Sequence, residues 1–160
     1  EPDLDLRQRR WDYLGNLAIR KHVAGAIWVH ASPRRPINEY IFPDDVLTAP
    51  VKIQQIFDRI TLRCFVGHTH VAGVFTDEPD FYPPADLGGV YRFRDDEKCV
   101  INPGSVGQPR DRDPRASYAI LHDDYVEFVR LEYDVDIVIK KVEAIPELSD
   151  FLGLRLLEGR

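Results

Sequence analysis

Three of the five histidines in the sequence follow apolar segments, an arrangement that could support metal-dependent chemistry. His30 ends the run 25–29, and His68 and His70 come after the run 62–66 and one glycine. Side chains two residues apart on extended chain point to the same side. The imidazoles of His68 and His70 are therefore expected to converge on one centre or on two adjacent ones. Functional groups in layered α/β folds collect at the carboxyl ends of strands, which favours the same interpretation.

The His-x-His pair also has a plainer interpretation, which is a solvated strand end. Short motifs arise often by chance, and this pair alone would favour that alternative. Its combination with His30 and with the loop 102–107 favours a functional site. The other two histidines, His22 and His122, have no such setting and are interpreted as surface or turn residues.

The loop 102–107 has the sequence Asn-Pro-Gly-Ser-Val-Gly and directly follows an apolar strand. Its backbone amides could form an anion-binding concavity beside a metal site, although a tight turn would explain the segment by itself. Arg110, Arg112 and Arg115 come next and alternate with two aspartates, a pattern that is most often a solvated loop. An arginine beside a metal site would also clamp phosphoryl oxygens.

Helical and strand patterns place these residues in a layered fold. Three helices are predicted: one capped by Asp3 or Asp5 with apolar residues up to Ala18, one that begins at Pro50, and one capped by Asp134. The apolar run 21–29 is predicted to be a buried strand. The other predicted strands are 62–66, 71–75, 90–93, 99–101, 117–121 and 126–133. This order fits an α/β sandwich with mixed strand directions.

Composition excludes several classes of protein. The 160 residues suffice for one domain, and 44% of them are hydrophobic, as in ordinary globular proteins. A net charge of −6 offers no surface for nucleic acid or an anionic membrane, and no apolar run approaches the ~20 residues that span a bilayer. Two cysteines are too few for a disulfide framework, which predicts reduced thiols in a cytoplasmic protein.

Three segments, taken in order, resemble the calcineurin-like metallophosphoesterase superfamily, and most closely its small bacterial and archaeal members. Residues 65–70 match the Gly-His-x-His motif, and residues 29–33 match the motif that supplies a single histidine. Residues 101–110 match the Asn-Pro-Gly-Ser-Val loop of this branch, and the tail 152–160 is also similar to it. The resemblance extends over the whole of residues 1–160.

The resemblance implies a fold and a reaction. The fold class is α/β, a calcineurin-like layered α/β/β/α sandwich with mixed sheets, and its N-terminal strands are missing from this chain. The activity is that of a cytoplasmic hydrolase, a phosphatase or phosphodiesterase, which cleaves a phosphomonoester or phosphodiester at a two-metal site.

The resemblance also implies the site residues. His30 and His68 would ligate one metal ion and His70 the other. The two divalent ions could be manganese, iron, nickel, cobalt or zinc, since neutral imidazole binds all of them. Two such ions polarise a phosphoryl group and generate hydroxide at neutral pH. The residues expected to bind substrate are Asn102, Gly104, Ser105 and Arg110.

The sequence departs from the superfamily in its carboxylate motifs. The motifs Asp-x-His, Gly-Asp-x-x-Asp and Gly-Asn-His-Asp or Glu, which supply the bridging aspartate and further ligands, are absent, as is methionine. Residues 1–160 are therefore expected to be the C-terminal part of a single domain. The expected partners are the missing N-terminal segment and a phosphate-ester substrate; an oligomer is also compatible. The isolated chain is expected to lack the full activity.

Two other functions remain as alternatives. The first is a non-catalytic scaffold on the same fold, which would bind a protein partner through the degenerate site or a sheet edge. The retention of all three histidines argues against it, because a scaffold does not need them. The second is a small α/β binding module whose histidines are incidental, and it predicts no bound metal.

Overall fold

The computed structural model describes residues 3–160, and the strands of this part of the chain form two sheets. The strands are β1 (Arg20–Val23), β2 (Ala26–Val29), β3 (Arg63–Phe65), β4 (Gly73–Thr76), β5 (Asp80–Tyr82), β6 (Val90–Arg92), β7 (Cys99–Asn102), β8 (Ala116–Leu121) and β9 (Tyr125–Leu131). The helices are α1 (Leu4–Gly15), α2 (Asp45–Thr48), α3 (Pro50–Phe57), α4 (Val135–Glu143) and α5 (Phe151–Leu154), and a 3-10 helix (Arg155–Glu158) follows.

The larger sheet has the order β1-β2-β3-β7-β4-β5, and the smaller one has the order β6-β9-β8. Strands β2, β3 and β7 run parallel to one another, whereas the pairs β1–β2, β4–β7 and β4–β5 are antiparallel. The smaller sheet is antiparallel throughout. The prediction of an α/β sandwich with mixed strand directions is therefore confirmed.

Alternating side chains of the larger sheet build two separate cores, one on each face. Cys64 and Val100 belong to a cluster that includes the inner side of α3, while their neighbours Phe65 and Ile101 face the smaller sheet. Because successive strand residues point to opposite faces, a continuous apolar strand can fill both layers. Cys64 and Cys99 are buried and free, and burial raises the pKa of each thiol to about 12.

Helix α3 covers one face of the larger sheet. Pro50 begins it, as predicted, because the first helical position needs no backbone N–H. Ile53, Ile56 and Phe57 form its buried stripe, and each is at most 3% exposed. Burial of each such side chain contributes roughly 1.5–3 kcal/mol.

Helix α1 and strand β1 lie at the surface. Asp3 caps α1 by accepting a hydrogen bond from the Leu6 backbone N–H at 2.9 Å, but no residue of this helix is buried. The prediction of one buried strand over 21–29 is confirmed for 26–29, which is β2, and was wrong for 21–23. Ala24 and Gly25 adopt positive φ values of 51° and 70°, so the chain reverses there and forms a β1–β2 hairpin in which β1 is exposed throughout.

Four short elements, namely β5, α2, α5 and the 3-10 helix, were not predicted from the sequence. Strand β5 lies in a proline-rich segment that was predicted to be a loop, and it pairs with β4 at the edge of the larger sheet, where flanking prolines are tolerated. Helix α5 and the following 3-10 helix are single turns without a periodic apolar pattern. Between residues 3 and 160 no helix combines the length and apolar character needed to cross a bilayer.

Candidate metal centre

Three neighbouring parallel strands deliver the predicted site residues to one edge of the larger sheet. His30 follows β2, the His68–His70 loop follows β3, and Asn102 is the last residue of β7. Because β2, β3 and β7 are adjacent and parallel, their carboxyl ends lie side by side. The topology thus brings together segments that are separated by more than 30 residues in the sequence.

His30 and His68 are in direct contact. The distance between His30 Nε2 and His68 Nδ1 is 2.9 Å, and the two rings meet edge to face with centroids 4.7 Å apart. The Gly67 backbone N–H also donates to the His30 carbonyl at 2.8 Å, which joins the two strand ends. A hydrogen bond between two imidazoles requires one of them to donate and the other to accept. At least one of these rings is therefore neutral.

The loop that carries His68 and His70 is not extended, so the assumption used to predict their convergence was wrong. Both residues adopt left-handed backbone conformations, with φ values of 61° and 63°. Such conformations are uncommon outside glycine and cost of the order of 1–3 kcal/mol each. Hydrogen bonds on both sides of the loop hold it: Val66 N–H donates to the Ile101 carbonyl and Arg110 N–H to the His70 carbonyl.

The hydrogen bonding of His70 fixes its tautomer. Its Nδ1 lies 2.8 Å from the Gln108 carbonyl, which can only accept, so Nδ1 carries the proton. The lone pair on Nε2 is then available to a metal ion. A donated N–H of this kind orients metal-binding histidines in proteins generally.

The surroundings of His68 and His70 favour the neutral form of both imidazoles. Burial lowers the pKa of His68, and the nearby His30, His70 and Arg110 lower it further. Burial also lowers the pKa of His70, which outweighs the opposing effect of its bond to Gln108. Neutral imidazole is the form that binds metals.

Asn102 lies inside the protein and joins two loops. Its side-chain Nδ2 donates to the Gly67 carbonyl and its Oδ1 accepts from the Gly104 N–H, both at 3.0 Å, and the residue is 1% exposed. These bonds set the distance between the His68–His70 loop and the loop that follows β7. The structure thus gives Asn102 a positioning role, and its contact with substrate stays a prediction.

Three amides in or next to the loop 102–107 are used within this segment. Ser105 Oγ accepts hydrogen bonds from the N–H groups of Gly107 at 3.3 Å and Gln108 at 2.9 Å, and the Gly104 N–H is bound to Asn102. These three amides are therefore taken, and the anion-binding concavity predicted for the loop 102–107 stays a prediction. The serine and the asparagine satisfy donors that the sequence alone left unassigned.

Arg110 is the predicted substrate-binding residue that presents a charge beside the histidines. Its backbone N–H donates to the His70 carbonyl at 3.0 Å, and its charge lowers the pKa of both His68 and His70. Its Nη2 donates to Gln108 Oε1 at 2.9 Å, while its buried Nε has no hydrogen-bond partner among the described residues. Arg115 instead pairs with Asp113. Neither His22, on β1, nor His122, stacked on Tyr125, belongs to the site.

Tyr40 is a site neighbour that the sequence did not reveal. Its ring stacks on His68 with centroids 4.1 Å apart. The hydroxyl of Thr69 accepts a hydrogen bond from the backbone N–H of the next residue, Ile41, and donates one to the Ile41 carbonyl. Tyr40 lies in a segment without regular secondary structure. No periodic pattern could therefore have indicated that it meets a histidine 28 residues away.

The histidines fit part of a metal site. Two nitrogens bound to one ion at about 2.0–2.1 Å in tetrahedral geometry lie roughly 3.3 Å apart, close to the 2.9 Å between His30 and His68. Within residues 3–160, however, no three His, Cys, Asp or Glu side chains are arranged to enclose an ion. The nearby carboxylate of Asp111 is paired with Arg130. Carboxylate ligands are thus what this centre lacks.

Comparisons with known proteins identify relatives of the chain. No family model matches the sequence. The chain is 39% identical over 149 residues to the uncharacterized protein MJ0912 of Methanocaldococcus jannaschii, which covers 90% of the chain. It also matches the crystal structure of a metallophosphoesterase from Sphaerobacter thermophilus with a TM-score of 0.84, 34% identity and 98% of the chain covered. The chain is related to the calcineurin-like metallophosphoesterases.

The metallophosphoesterase relationship confirms the resemblance and the fold class inferred from the sequence. A protein from Pyrococcus horikoshii, PH1004, shares the fold with a TM-score of 0.65 at 20% identity, over 97% of the chain. The relatives are longer. The chain spans 56% of MJ0912, 65% of the Sphaerobacter metallophosphoesterase and 56% of PH1004.

Proposed function

We propose that this chain provides the histidine half of the centre of a metal-dependent phosphoesterase, a hydrolase of phosphomonoesters or phosphodiesters. The observation that carries the proposal is the 2.9 Å contact between His30 and His68, with His70 on the same loop. Neutral imidazoles gathered at the carboxyl ends of parallel strands form a donor set suited to divalent transition metals. The relationship to a metallophosphoesterase supports the same class of reaction.

Each residue has a proposed role. His30 and His68 hold one ion and His70, through Nε2, holds the second, with manganese, iron, nickel, cobalt or zinc as suitable metals. When bound, two such ions polarise the phosphoryl group and lower the pKa of a water molecule. Arg110 binds the phosphoryl oxygens, because a guanidinium matches their charge and spacing.

The proposal requires carboxylate ligands from outside the described residues. We propose that a further segment of the same domain supplies them, since the three relatives are longer than the matched region. The exposed surfaces of α1 and β1 are suitable for contact with such a segment. Leu14 of α1 is 54% exposed and Val23 of β1 is 54% exposed, although both are apolar.

Metal binding tests the histidine assignments. A titration of the chain with Zn²⁺ is expected to show that His68→Gln weakens binding more than about tenfold, because a ligand is lost. His122→Gln is the matched control, since this histidine stacks on Tyr125 and contacts no other histidine. Equal Zn²⁺ affinity in the parent chain and in His68→Gln would contradict the assignment.

Hydrolysis tests the role of Arg110 and separates the enzyme from a scaffold. In the protein that contains both the histidines and the carboxylate ligands, Arg110→Ala is expected to slow hydrolysis of an aryl phosphodiester by about 10²-fold while the metal content is retained. Full metal occupancy without any hydrolysis of phosphomonoesters or phosphodiesters in the unsubstituted protein would instead support a scaffold.

A further inference from the structure

We infer that Tyr40 and Phe42 form an aromatic platform that binds the aromatic portion of a phosphate ester, such as a nucleobase or a phenyl group. The inference rests on the proposed function, since it places the phosphate of the ligand at the histidine centre. It adds the class of substrate, which the histidines themselves do not determine.

The platform continues directly from the histidine centre. The Tyr40 ring lies 4.1 Å from the His68 ring at an angle of 27°, and the Phe42 ring lies 5.4 Å from the Tyr40 ring at 7°. The rings of His68, Tyr40 and Phe42 are thus in contact in that order, with Tyr40 in the middle. A phosphate held at the histidines would leave its ester group beside Tyr40 and Phe42.

The side chains of Tyr40 and Phe42 are both partly exposed to solvent. Tyr40 is 39% exposed and Phe42 is 45% exposed. Single exposed aromatic residues are ordinary on protein surfaces. Two parallel exposed rings beside the histidine centre are a more specific arrangement, because aromatic rings and nucleobases stack on such faces.

Buried neighbours hold the two rings in place. The residues that alternate with them point inward: Ile41 is 3% exposed, and the Glu39 side chain, 8% exposed, is bound by Arg34 and Ser32. Thr69 bonds to both backbone groups of Ile41.

A second anchor lies at the end of the segment. The carboxylate of Asp45 accepts from the Phe42 N–H at 2.6 Å and pairs with Lys52. The segment 39–42 is thereby fixed on its inner side while its aromatic side chains face outward. A surface that is already ordered loses little conformational entropy when a ligand binds.

Two matched pairs of phosphate esters test the platform. The dissociation constants of adenosine 5′-monophosphate and ribose 5-phosphate, and of phenyl phosphate and methyl phosphate, are measured by NMR titration in the presence of Zn²⁺. Saturation-transfer difference spectra show which ligand protons contact the protein. The unsubstituted chain is expected to prefer the aromatic member of a pair by about tenfold, as stacking on an aromatic side chain predicts.

The variants are Tyr40→Ala and Phe42→Ala, with Tyr118→Ala as control because Tyr118 is 38% exposed and lies on β8. Each platform variant is expected to reduce the preference to less than about threefold and to weaken saturation transfer to the aromatic protons. The control is expected to keep the preference. A preference only for adenosine 5′-monophosphate over ribose 5-phosphate would indicate that the platform binds a nucleobase. A preference for the aromatic member of both pairs would indicate that it binds aromatic groups generally. Either result supports the inference.

Three results would overturn it. If the unsubstituted chain binds both members of each pair equally, the platform is wrong and the phosphate centre stands. The platform is equally wrong if both alanine variants keep the full preference. If none of the four esters binds in the presence of Zn²⁺, the platform is wrong; the proposed function, which also requires the carboxylate ligands, is decided separately by the hydrolysis of phosphate esters described above.

Discussion

At the scale of single residues, the packing around Gly104 leaves no room for a side chain. This residue has a φ of +84°, and a Cβ atom built on it would lie 2.5 Å from Ser117 Oγ and 2.7 Å from Ser117 Cβ. Ser117 is buried and donates to the Pro103 carbonyl, so it cannot move without losing that bond. The shape of the loop after β7 therefore requires glycine at position 104, because any side chain there would clash with Ser117.

Gly104→Ala is expected to destabilise the fold by about 2–4 kcal/mol, which combines the strained φ with the clash. Gly107→Ala is the matched control, because it lies in the same loop with no atom within 4 Å of its added methyl group and no positive φ. Urea unfolding measures the free energy of unfolding of each variant. A Gly104→Ala loss as small as that of Gly107→Ala would show that the loop can rearrange.

At the scale of secondary-structure elements, α1 and α3 differ in their contribution to the core. Helix α3 buries an apolar stripe against the larger sheet, whereas α1 has a capping aspartate but no buried residue. Tertiary packing provides most of the stability of short helices in proteins. Helix α1 should thus be the less stable of the two against local unfolding.

A pair of truncations measures this difference. Ile56→Ala in α3, where Ile56 is 1% exposed, is expected to lower the free energy of unfolding by about 2–5 kcal/mol. Leu14→Ala in α1, where Leu14 is 54% exposed, is expected to change it by less than about 0.5 kcal/mol. Comparable losses would mean that α1 packs on the body of the protein in solution.

Elements with a local cause could be predicted from the sequence. The Asp3 cap, Pro50 at the start of α3 and the Asp134 cap of α4 all act where sequence reasoning placed them. The strands that lead to the histidines were also predicted, because both of their faces are apolar. The sequence thus indicated which segments meet at the site.

The rest depends on contacts between distant segments. The left-handed conformations of His68 and His70 are held by residues of β7 and the loop beyond it, and the sequence contains no local signal for them. The use of loop amides by Asn102 and Ser105 is likewise visible only in three dimensions. The individual hydrogen bonds that shape these two loops could therefore not be predicted from the sequence.

At the scale of the whole molecule, an ionic cluster joins the smaller sheet to the loop that follows the site. Arg130 of β9 pairs with Asp111 and lies 3.7 Å from Asp113, which also binds Arg115 at 2.6 Å. The bond to Arg115 holds the pKa of Asp113 at about 2, below its ordinary value of 3.8. Protonation of Asp113 at low pH should therefore weaken the connection between the smaller sheet and this loop.

Because its folded pKa is lowered, the Asp113 carboxylate stabilises the protein above about pH 4, and this contribution is lost as the pH falls toward about 2. With allowance for solvent screening, the contribution is on the order of 1 kcal/mol. Asp113→Asn should be less stable than the parent chain by that amount at pH 6, and the difference should shrink at pH 3. Urea unfolding at both pH values measures it; a difference that is independent of pH would contradict the assignment.

The position of β7 between β3 and β4 has a consequence for the order of folding. The loop that carries His68 and His70 connects β3 to β4, yet these two strands are not neighbours, because β7 separates them. Strand β7 begins 34 residues after β3 ends, at Cys99 and Phe65, so closing that contact is an entropically costly and slow event. We expect the histidine loop to reach its final shape only after β7 has been inserted. Contact between His30 and His68 is therefore expected to be a late event in refolding, after the β1–β2 and β8–β9 hairpins have formed.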